Sequence, residues 1–226
     1  MILVQNARSQ PGIVVFDFDG TLSTGRNSMT MWSQIWSTIG RPDLGRALYE
    51  DFHNGLITRE KWFQLTENVF RFFLTRTELD IVSSCIELRT DAIQTLRLLS
   101  ASGYNLYILS GGILTIIKKV LGVNTCFFVH ISANDILFDS GGKMQKIIMT
   151  PFDYDGKAVY IKNLVGQTHT PMDRVYFLGN SVNDMSVLSL PIKTICISPP
   201  VTSQKFIAQW DHVCDNLLSA SHFILG

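Results

Sequence analysis

Apolar residues in this chain fall into runs of two kinds, and their alternation predicts its architecture. Ile13 to Phe16 is a short, β-branched, wholly apolar run that stops at Asp17 and passes into Asp19-Gly20-Thr21. Such a run reads as a buried strand opening into a polar loop. Asn105 to Leu109 repeats the pattern and ends at Ser110-Gly111-Gly112, Val175 to Leu178 ends at Gly179-Asn180, and Thr194 to Ile197 stops before Pro199-Pro200. Another strand is predicted near Phe127 to Ile131, while Ile136 to Phe138 and Lys146 to Met149 flank Asp139-Ser140-Gly141-Gly142 as an exposed hairpin. Between these runs the period lengthens to that of helices. Thr90 to Ser102 is closed by Gly103, Leu114 to Leu121 follows the second strand, and Asp155-Gly156 begins a helix that reaches about Val165.

From Ser28 to about Leu88 the strand-like runs vanish. Met29, Trp32, Ile35 and Trp36 form one apolar helical stripe, and Thr58 and Thr77 are expected N-caps of two further helices, the second with Glu78 and Asp80 in its first turn. The expected fold is therefore α/β, a parallel sheet with helices on both faces built by residues 1–22 and 90–226, with an all-helical cap inserted at 23–89. The polar loops that follow the strands at Phe16, Leu109 and Leu178 all lie at carboxyl ends, so they can converge on one crevice.

Composition narrows what that crevice can hold. With 46% hydrophobic and 17% charged residues, the chain is a folded globular protein, and 226 residues suffice for one core carrying a smaller subdomain. Nineteen basic residues balance nineteen acidic ones, so no summed field gathers nucleic acid or an anionic membrane, and an anionic ligand must be held locally. The four cysteines show no C-x-x-C pairing and are expected to be reduced and mostly buried, with Cys126 and Cys196 as small apolar residues in or beside strands. The five histidines lack metal-ligand spacing and are expected at surface or loop positions. With no basic lead before an apolar N-terminal run and no stretch of about 18 apolar residues, a soluble, cytoplasmic protein is expected; the sequence carries no signal of oligomeric state.

Four clusters carry candidate chemistry. Asp17-x-Asp19-Gly-Thr, Ile-Leu-Ser110-Gly-Gly, Asp-Gly-Lys157 and Gly179-Asn-Ser-Val-Asn-Asp184 resemble, in order and spacing, the four motifs of the haloacid dehalogenase superfamily. The likeness runs from about Ile13 to Pro199 and is strongest to the phosphoserine-phosphatase-like subgroup, whose small helical C1-type cap sits where this insert sits. The resemblance implies a Rossmann-like core and a magnesium-dependent phosphomonoesterase acting on a small phosphorylated metabolite. Phosphoryl transfer needs an in-line nucleophile and compensation of charge on the transferring oxygens. In this reading Asp17 attacks phosphorus to form an aspartyl-phosphate, and Asp19 protonates the leaving alcohol and then deprotonates water. The Asp17 carboxylate and the Asp19 carbonyl are implied ligands of Mg2+.

Ser110 can donate its hydroxyl to a phosphate oxygen while the Gly111 amide points inward. Of Lys143, Lys146, Lys157 and Lys162, Lys157 shares a helical stripe with Ile161 and Leu164, which aims its stem at the core. Lys162 lies about 140° further round and should face solvent. The fourth motif departs from the family, which usually has an aspartate as direct metal ligand where this chain has Asn180. An amide oxygen can bind magnesium but brings no charge, so weaker metal binding is expected, with Asp184 binding the metal's waters and Asn183 bonding a phosphate oxygen or the loop backbone. Phe52-x-x-Gly-Leu-x-x-Arg59 resembles the cap stretch whose arginine approaches the substrate, and Arg26 stands where phosphoserine phosphatases carry an amine-binding glutamate, which argues against phosphoserine. Trp32, Trp36, Trp62 and Phe63 either line an apolar pocket or form the core of the cap, the latter being what their spacing favours. Two other readings remain: a phosphotransferase or mutase on the same scaffold, and a phosphate-binding or protein-interaction module that has lost turnover through Asn180.

Overall fold

The computed structural model describes residues 11–153, 155–197 and 204–226, the side chains of Ser28 and Asp153 excepted. The expected N-terminal stretch and the stop at Pro199-Pro200 lie outside the described residues. In chain order the elements are β1 Ile13–Phe16, β2 Ser23–Gly25, α1 Met31–Thr38, α2 Pro42–His53, α3 Arg59–Phe73, α4 Arg76–Ser84 and β3 Ile86–Leu88. They continue with α5 Ala92–Ala101, β4 Asn105–Ile113, α6 Leu114–Leu121, β5 Phe128–Phe138, β6 Met144–Ile148 and α7 Gly156–Thr168. The chain closes with β7 Val175–Gly179, β8 Lys193–Ile197, α8 Gln204–Ile207, β9 His212–Cys214 and α9 Leu217–Leu225.

Among the described residues the strands form a seven-stranded sheet ordered β6-β5-β4-β1-β7-β8-β9 and a two-stranded ribbon, β2-β3. All neighbours in the large sheet are parallel except β5 and β6. β1 is central because every residue in it is buried and its two faces serve different cores. Val14 and Phe16 pack with Leu106, Ile108, Leu178 and the helices α5, α6 and α9, whereas Ile13 and Val15 pack with Leu109, Phe177 and the α7 residues Ile161 and Leu164. The first core runs on into the insert through Met31, Ile35, Trp36, Trp62, Phe63 and Phe70. Trp36, Trp62 and Phe63 are thus cap core, as their spacing favours, while Trp32 is only partly buried. No described helix is long and apolar enough to cross a membrane.

Several local expectations are corrected. The strand near Phe127 and the first arm of the hairpin are one continuous strand, β5, which pairs with β4 at its start and turns to pair with β6 at its end. The insert is not wholly helical, since β2 and β3 close its neck. Met29 falls outside α1, whose N-cap is Thr30. Thr75 rather than Thr77 caps α4, because Glu78 at the third helical position reaches back to the Thr75 N–H at 2.9 Å and completes a capping box. Cys126 is exposed, in the short 3₁₀ helix Gly122–Phe127 before β5, while Cys196 is buried as expected.

Candidate active site

Asp17 is the first residue past β1, and the sheet sets its place: its N–H donates to the Leu178 carbonyl at 2.8 Å, extending the ladder to β7. At 5% exposure its carboxylate needs a cation. Lys157 provides one, its Nζ donating to Asp17 Oδ1 at 2.8 Å and to Asp184 Oδ1 at 2.6 Å. The lysine stem is buried on the first turn of α7, where Gly156 packs so closely on Pro151 that a Cβ would collide with it. Burial disfavours the charge on Lys157, but the Asp17 and Asp184 carboxylates overcome this and hold its pKa above the ordinary lysine value. Burial pushes the Asp17 carboxyl up; Lys157 pulls it down and Asp184 pushes it up again, leaving it at about 7. When all three groups ionise, the trio is one negative charge in excess.

Asp184 is fully engaged. Its Oδ2 accepts the Asn180 and Ser181 N–H groups, each at 3.0 Å, and it forms a capping box with Ser181 at the start of the 3₁₀ turn Val182–Ser189. Asp184 thereby anchors both Lys157 and the turn that carries Asn180.

Asp19 is partly exposed, and its Oδ2 accepts the N–H of Met31, the first residue of α1, at 3.1 Å. Desolvation raises its carboxyl to about 6 against the downward pull of the Met31 N–H and of Lys157. The loop is folded by the Phe18 carbonyl, which accepts the N–H groups of Thr21, Leu22 and Ser23. Gly20 then sits at φ +79°, and a Cβ on it would run into the Asn180 amide. Glycine is required on both counts. We expect Gly20→Ala to lower stability by about 1–3 kcal/mol, read from urea denaturation.

Three oxygens at this place have no hydrogen-bond partner among the described residues: Asp17 Oδ2, the Asp19 carbonyl and the buried Asn180 Oδ1. A buried acceptor left unpaired is costly, and such atoms usually have a partner. Oxygen donors beside an excess negative charge are what a hard divalent cation takes, so these residues fit magnesium. Among the described residues no cluster of three or more His, Cys, Asp or Glu could hold a metal ion, so the fit here rests on the mixed carboxylate, carbonyl and amide oxygens.

The neighbouring strand supplies the other wall. Ser110 is 1% exposed on β4, and the β4–β5 register shifts between Ser110 and Ile113, so Gly111 and Gly112 have no ladder partner on β5. The peptide joining the two glycines is tied on both edges. Its N–H, from Gly112, donates to Ser110 Oγ at 3.0 Å. Its carbonyl, from Gly111, accepts Trp32 Nε1 of α1 at 2.8 Å and Asn134 Nδ2 of β5 at 2.8 Å. Because Ser110 Oγ accepts here, its own hydroxyl hydrogen is left to donate to a ligand. Asn134, fully buried, accepts the Thr150 N–H at 2.6 Å and its hydroxyl at 3.0 Å through Oδ1, and Arg59 of α3 donates to the Thr150 carbonyl. Sequence reasoning missed Asn134 and Thr150. The available signal was an asparagine inside the β-forming run Ile131 to Ile136, since a polar side chain in a buried strand must find partners.

The family model for haloacid dehalogenase-like hydrolases matches residues 14–189, which includes every side chain just described around Asp17. The chain belongs to the haloacid dehalogenase-like hydrolases. It is 27% identical over 176 residues to phosphoserine phosphatase SerB2 of Mycobacterium tuberculosis, a match that takes in 78% of this chain and 41% of that protein. The chain thus spans about two fifths of the length of that relative. Its fold superposes with a TM-score of 0.75 on a phospho-aspartyl intermediate analogue of phosphoserine phosphatase, at 15% identity, covering 95% of this chain and 99% of that one. A probable phosphoserine phosphatase from Vibrio cholerae gives 0.76 at 16% identity, covering 96% of this chain and 67% of the other.

In this haloacid dehalogenase-like hydrolase, Asp17, Asp184 and Lys157 are joined by hydrogen bonds, Asp19 and Asn180 meet at Gly20, and Ser110 lies on the strand beside Asp17. Lys143, Lys146 and Lys162 are exposed, leaving Lys157 as the buried cation of the motif region. Asn183 is half-buried in the turn after Ser181 and its side chain makes no hydrogen bond among the described residues, so its amide can meet a ligand. Arg59 reaches the site indirectly, through Thr150 and Asn134, with its guanidinium 5.0 Å from the Phe63 ring centroid. Arg26 is not brought in: it is exposed just past β2, and its N–H bonds the Cys85 carbonyl. A cavity of about 500 Å3 lined by Thr24, Arg89, Asp91 and Asn216 lies beside the β2–β3 ribbon and contains none of these residues.

Proposed function

We propose that this chain is a magnesium-dependent phosphomonoesterase that acts on a small phosphorylated metabolite through an aspartyl-phosphate. The reading is carried by the Asp17 carboxylate, buried, tied to Lys157 through one oxygen and open on the other, with Asp19 two residues on. The open oxygen attacks phosphorus as the bond to the leaving oxygen breaks, and Asp19 gives that oxygen its proton. Asp19 then takes a proton from water, which attacks phosphorus and frees Asp17. A carboxyl held at about 6 can serve in both directions near neutral pH. The Ser110 hydroxyl, the Gly111 amide, Lys157 and Asn183 would hold the phosphoryl oxygens. The Asp19 carbonyl, Asn180 Oδ1 and the Asp17 oxygen that does not attack would hold magnesium, which would supply charge neutralisation for the carboxylate and the phosphate. The insert over the strand ends is suited to exclude water and to contact the rest of a small substrate.

The curated relative and both superposed structures are phosphoserine phosphatases by name, and Arg26 stands outside the hydrogen-bonded constellation. Phosphoserine therefore returns to the substrates worth testing. The deciding experiment is phosphate release from phosphoserine, other phosphorylated metabolites and an aryl phosphate across a magnesium titration. Saturable, magnesium-dependent release without an added acceptor is expected. Inertness of the whole panel at every magnesium level, with turnover restored by Asn180→Asp, would sink the reading in favour of a binding module. Release only when a hydroxyl acceptor is added would make the protein a transferase.

Two further outcomes follow from the donor set. Asn180→Asp adds a charged oxygen and should tighten magnesium binding on the order of tenfold by calorimetry. In the native chain, magnesium affinity should climb between pH 6 and 8, because the Asp17 carboxyl loses its proton as pH rises through about 7. An affinity that is flat with pH would contradict this.

A further inference from the structure

The Gly111–Gly112 peptide carries two adjoining glycines in a stretch without ladder partners, so nothing in its own backbone prevents it from rotating. Its orientation matters because its N–H occupies an acceptor site of Ser110 Oγ and so decides where the hydroxyl hydrogen points. Two donors hold its carbonyl, and they come from different parts of the molecule. Trp32 is on α1 of the insert, with its ring packed on Trp62, Phe63 and Phe70. Asn134 belongs to the central sheet, but its other amide atom is bound to Thr150, whose carbonyl is held by Arg59 of the insert. Both arms of the cap, α1 and α3, therefore end on one carbonyl oxygen.

We propose that Trp32 and Asn134 are positioning residues that set the Gly111–Gly112 peptide, so that the Ser110 hydroxyl is aimed at a phosphoryl oxygen only while the helical insert is seated on the strand ends. The inference deepens the phosphomonoesterase reading and rests on it. The insert is more than a lid in this account: its seating prepares the phosphate site. Asn134 supplies the core half of the clamp, and Trp32 supplies the half that leaves if α1 lifts. Met31 moves with Trp32, and its N–H reaches Asp19 while its sulfur accepts the Ile113 N–H at 2.9 Å. Seating of α1 thus touches the proton-transfer residue and the phosphate loop together.

The test is binding of inorganic phosphate to the magnesium-loaded protein by calorimetry, with melting temperature as control, in Trp32→Phe, Asn134→Asp, Ser110→Ala and the double variants. Trp32→Phe keeps an aromatic ring but removes the five-membered ring that carries the N–H. We expect it to weaken phosphate binding about three- to tenfold, the value of one neutral hydrogen bond, with a modest drop in melting temperature from the smaller ring. Asn134→Asp removes the donor and keeps the shape, and should weaken binding at least as much. In the Ser110→Ala background the Trp32→Phe effect should largely disappear, because the peptide then has no hydroxyl to aim. Phosphate affinity unchanged in Trp32→Phe, or a loss fully additive with Ser110→Ala, would overturn the inference. If Asn134→Asp fails to fold, the Trp32→Phe cycle decides alone. A native chain that binds no phosphate would instead overturn the phosphomonoesterase reading itself, so the two failures are distinguishable.

Discussion

Replacing Asp17 by Asn is expected to abolish phosphate release, by at least about four orders of magnitude, as loss of a nucleophile does in enzymes whose groups act as a unit. The reasoning is geometric. In the proposed reading the open Asp17 oxygen is the group left to attack, since Asp184 has both oxygens committed and Asp19 is bound to the N–H that begins α1. An amide at position 17 keeps an oxygen for Lys157 but is a far poorer nucleophile. The check is a steady-state release assay together with trapping of phosphorylated protein from a rapid quench. Residual turnover above a few per cent of the native rate would mean that Asp17 binds metal or phosphate without attacking it.

Replacing Lys157 by Met is the second large effect, and it falls on stability as well as activity. It leaves the Asp17 and Asp184 carboxylates buried beside each other without their cation, for which a loss of about 3–5 kcal/mol is expected at pH 8 from urea denaturation. The pH dependence has a definite sign. Burial holds the folded Asp17 carboxyl at about 7, well above the ordinary carboxylate value of 3.8, so the folded state binds a proton that the unfolded chain has released. That contribution is present at acid pH and is lost as pH rises through the folded pKa. Lys157 pulls the Asp17 carboxyl down, so without it that carboxyl keeps its proton to higher pH, and the deficit of Lys157→Met relative to the native chain should narrow as pH is lowered from 8 to 5.5. A deficit below about 1 kcal/mol at pH 8 would show that water or a bound cation, rather than Lys157, compensates the two carboxylates.

The site was legible in the sequence to the extent that it is built from strand ends and helix starts. Ile13 to Phe16, Asn105 to Leu109 and Val175 to Leu178 each announce a buried strand followed by a polar loop, and the structure sets these three strands side by side. The period of α7 showed that Lys157 faces inward and Lys162 outward, as observed. Less local features were misjudged. The antiparallel turn of β5 into β6, the β2–β3 neck and the Thr75 cap depend on partners that pattern alone does not name.

By itself the sequence determined which residues are apolar on which face, where each run stops, and hence which polar groups arrive at the carboxyl edge of the sheet. These follow from periodicity and from the φ and ψ preferences of turn residues, which act over a few positions. Only the tertiary structure decided what those groups do to one another. Lys157 meets Asp17 across 140 residues, Trp32 meets the Gly111 carbonyl across 79, and Asn134 meets the same oxygen from a third segment. Hydrogen bonds of this kind are chosen by packing of whole elements in three dimensions, with sub-ångström demands on distance and angle that no one-dimensional pattern carries. That is why the Asp17 motif could be read from the chain, while the occupation of Asp184, the open Asn180 oxygen and the clamp on the Gly111–Gly112 peptide could be read only from the fold.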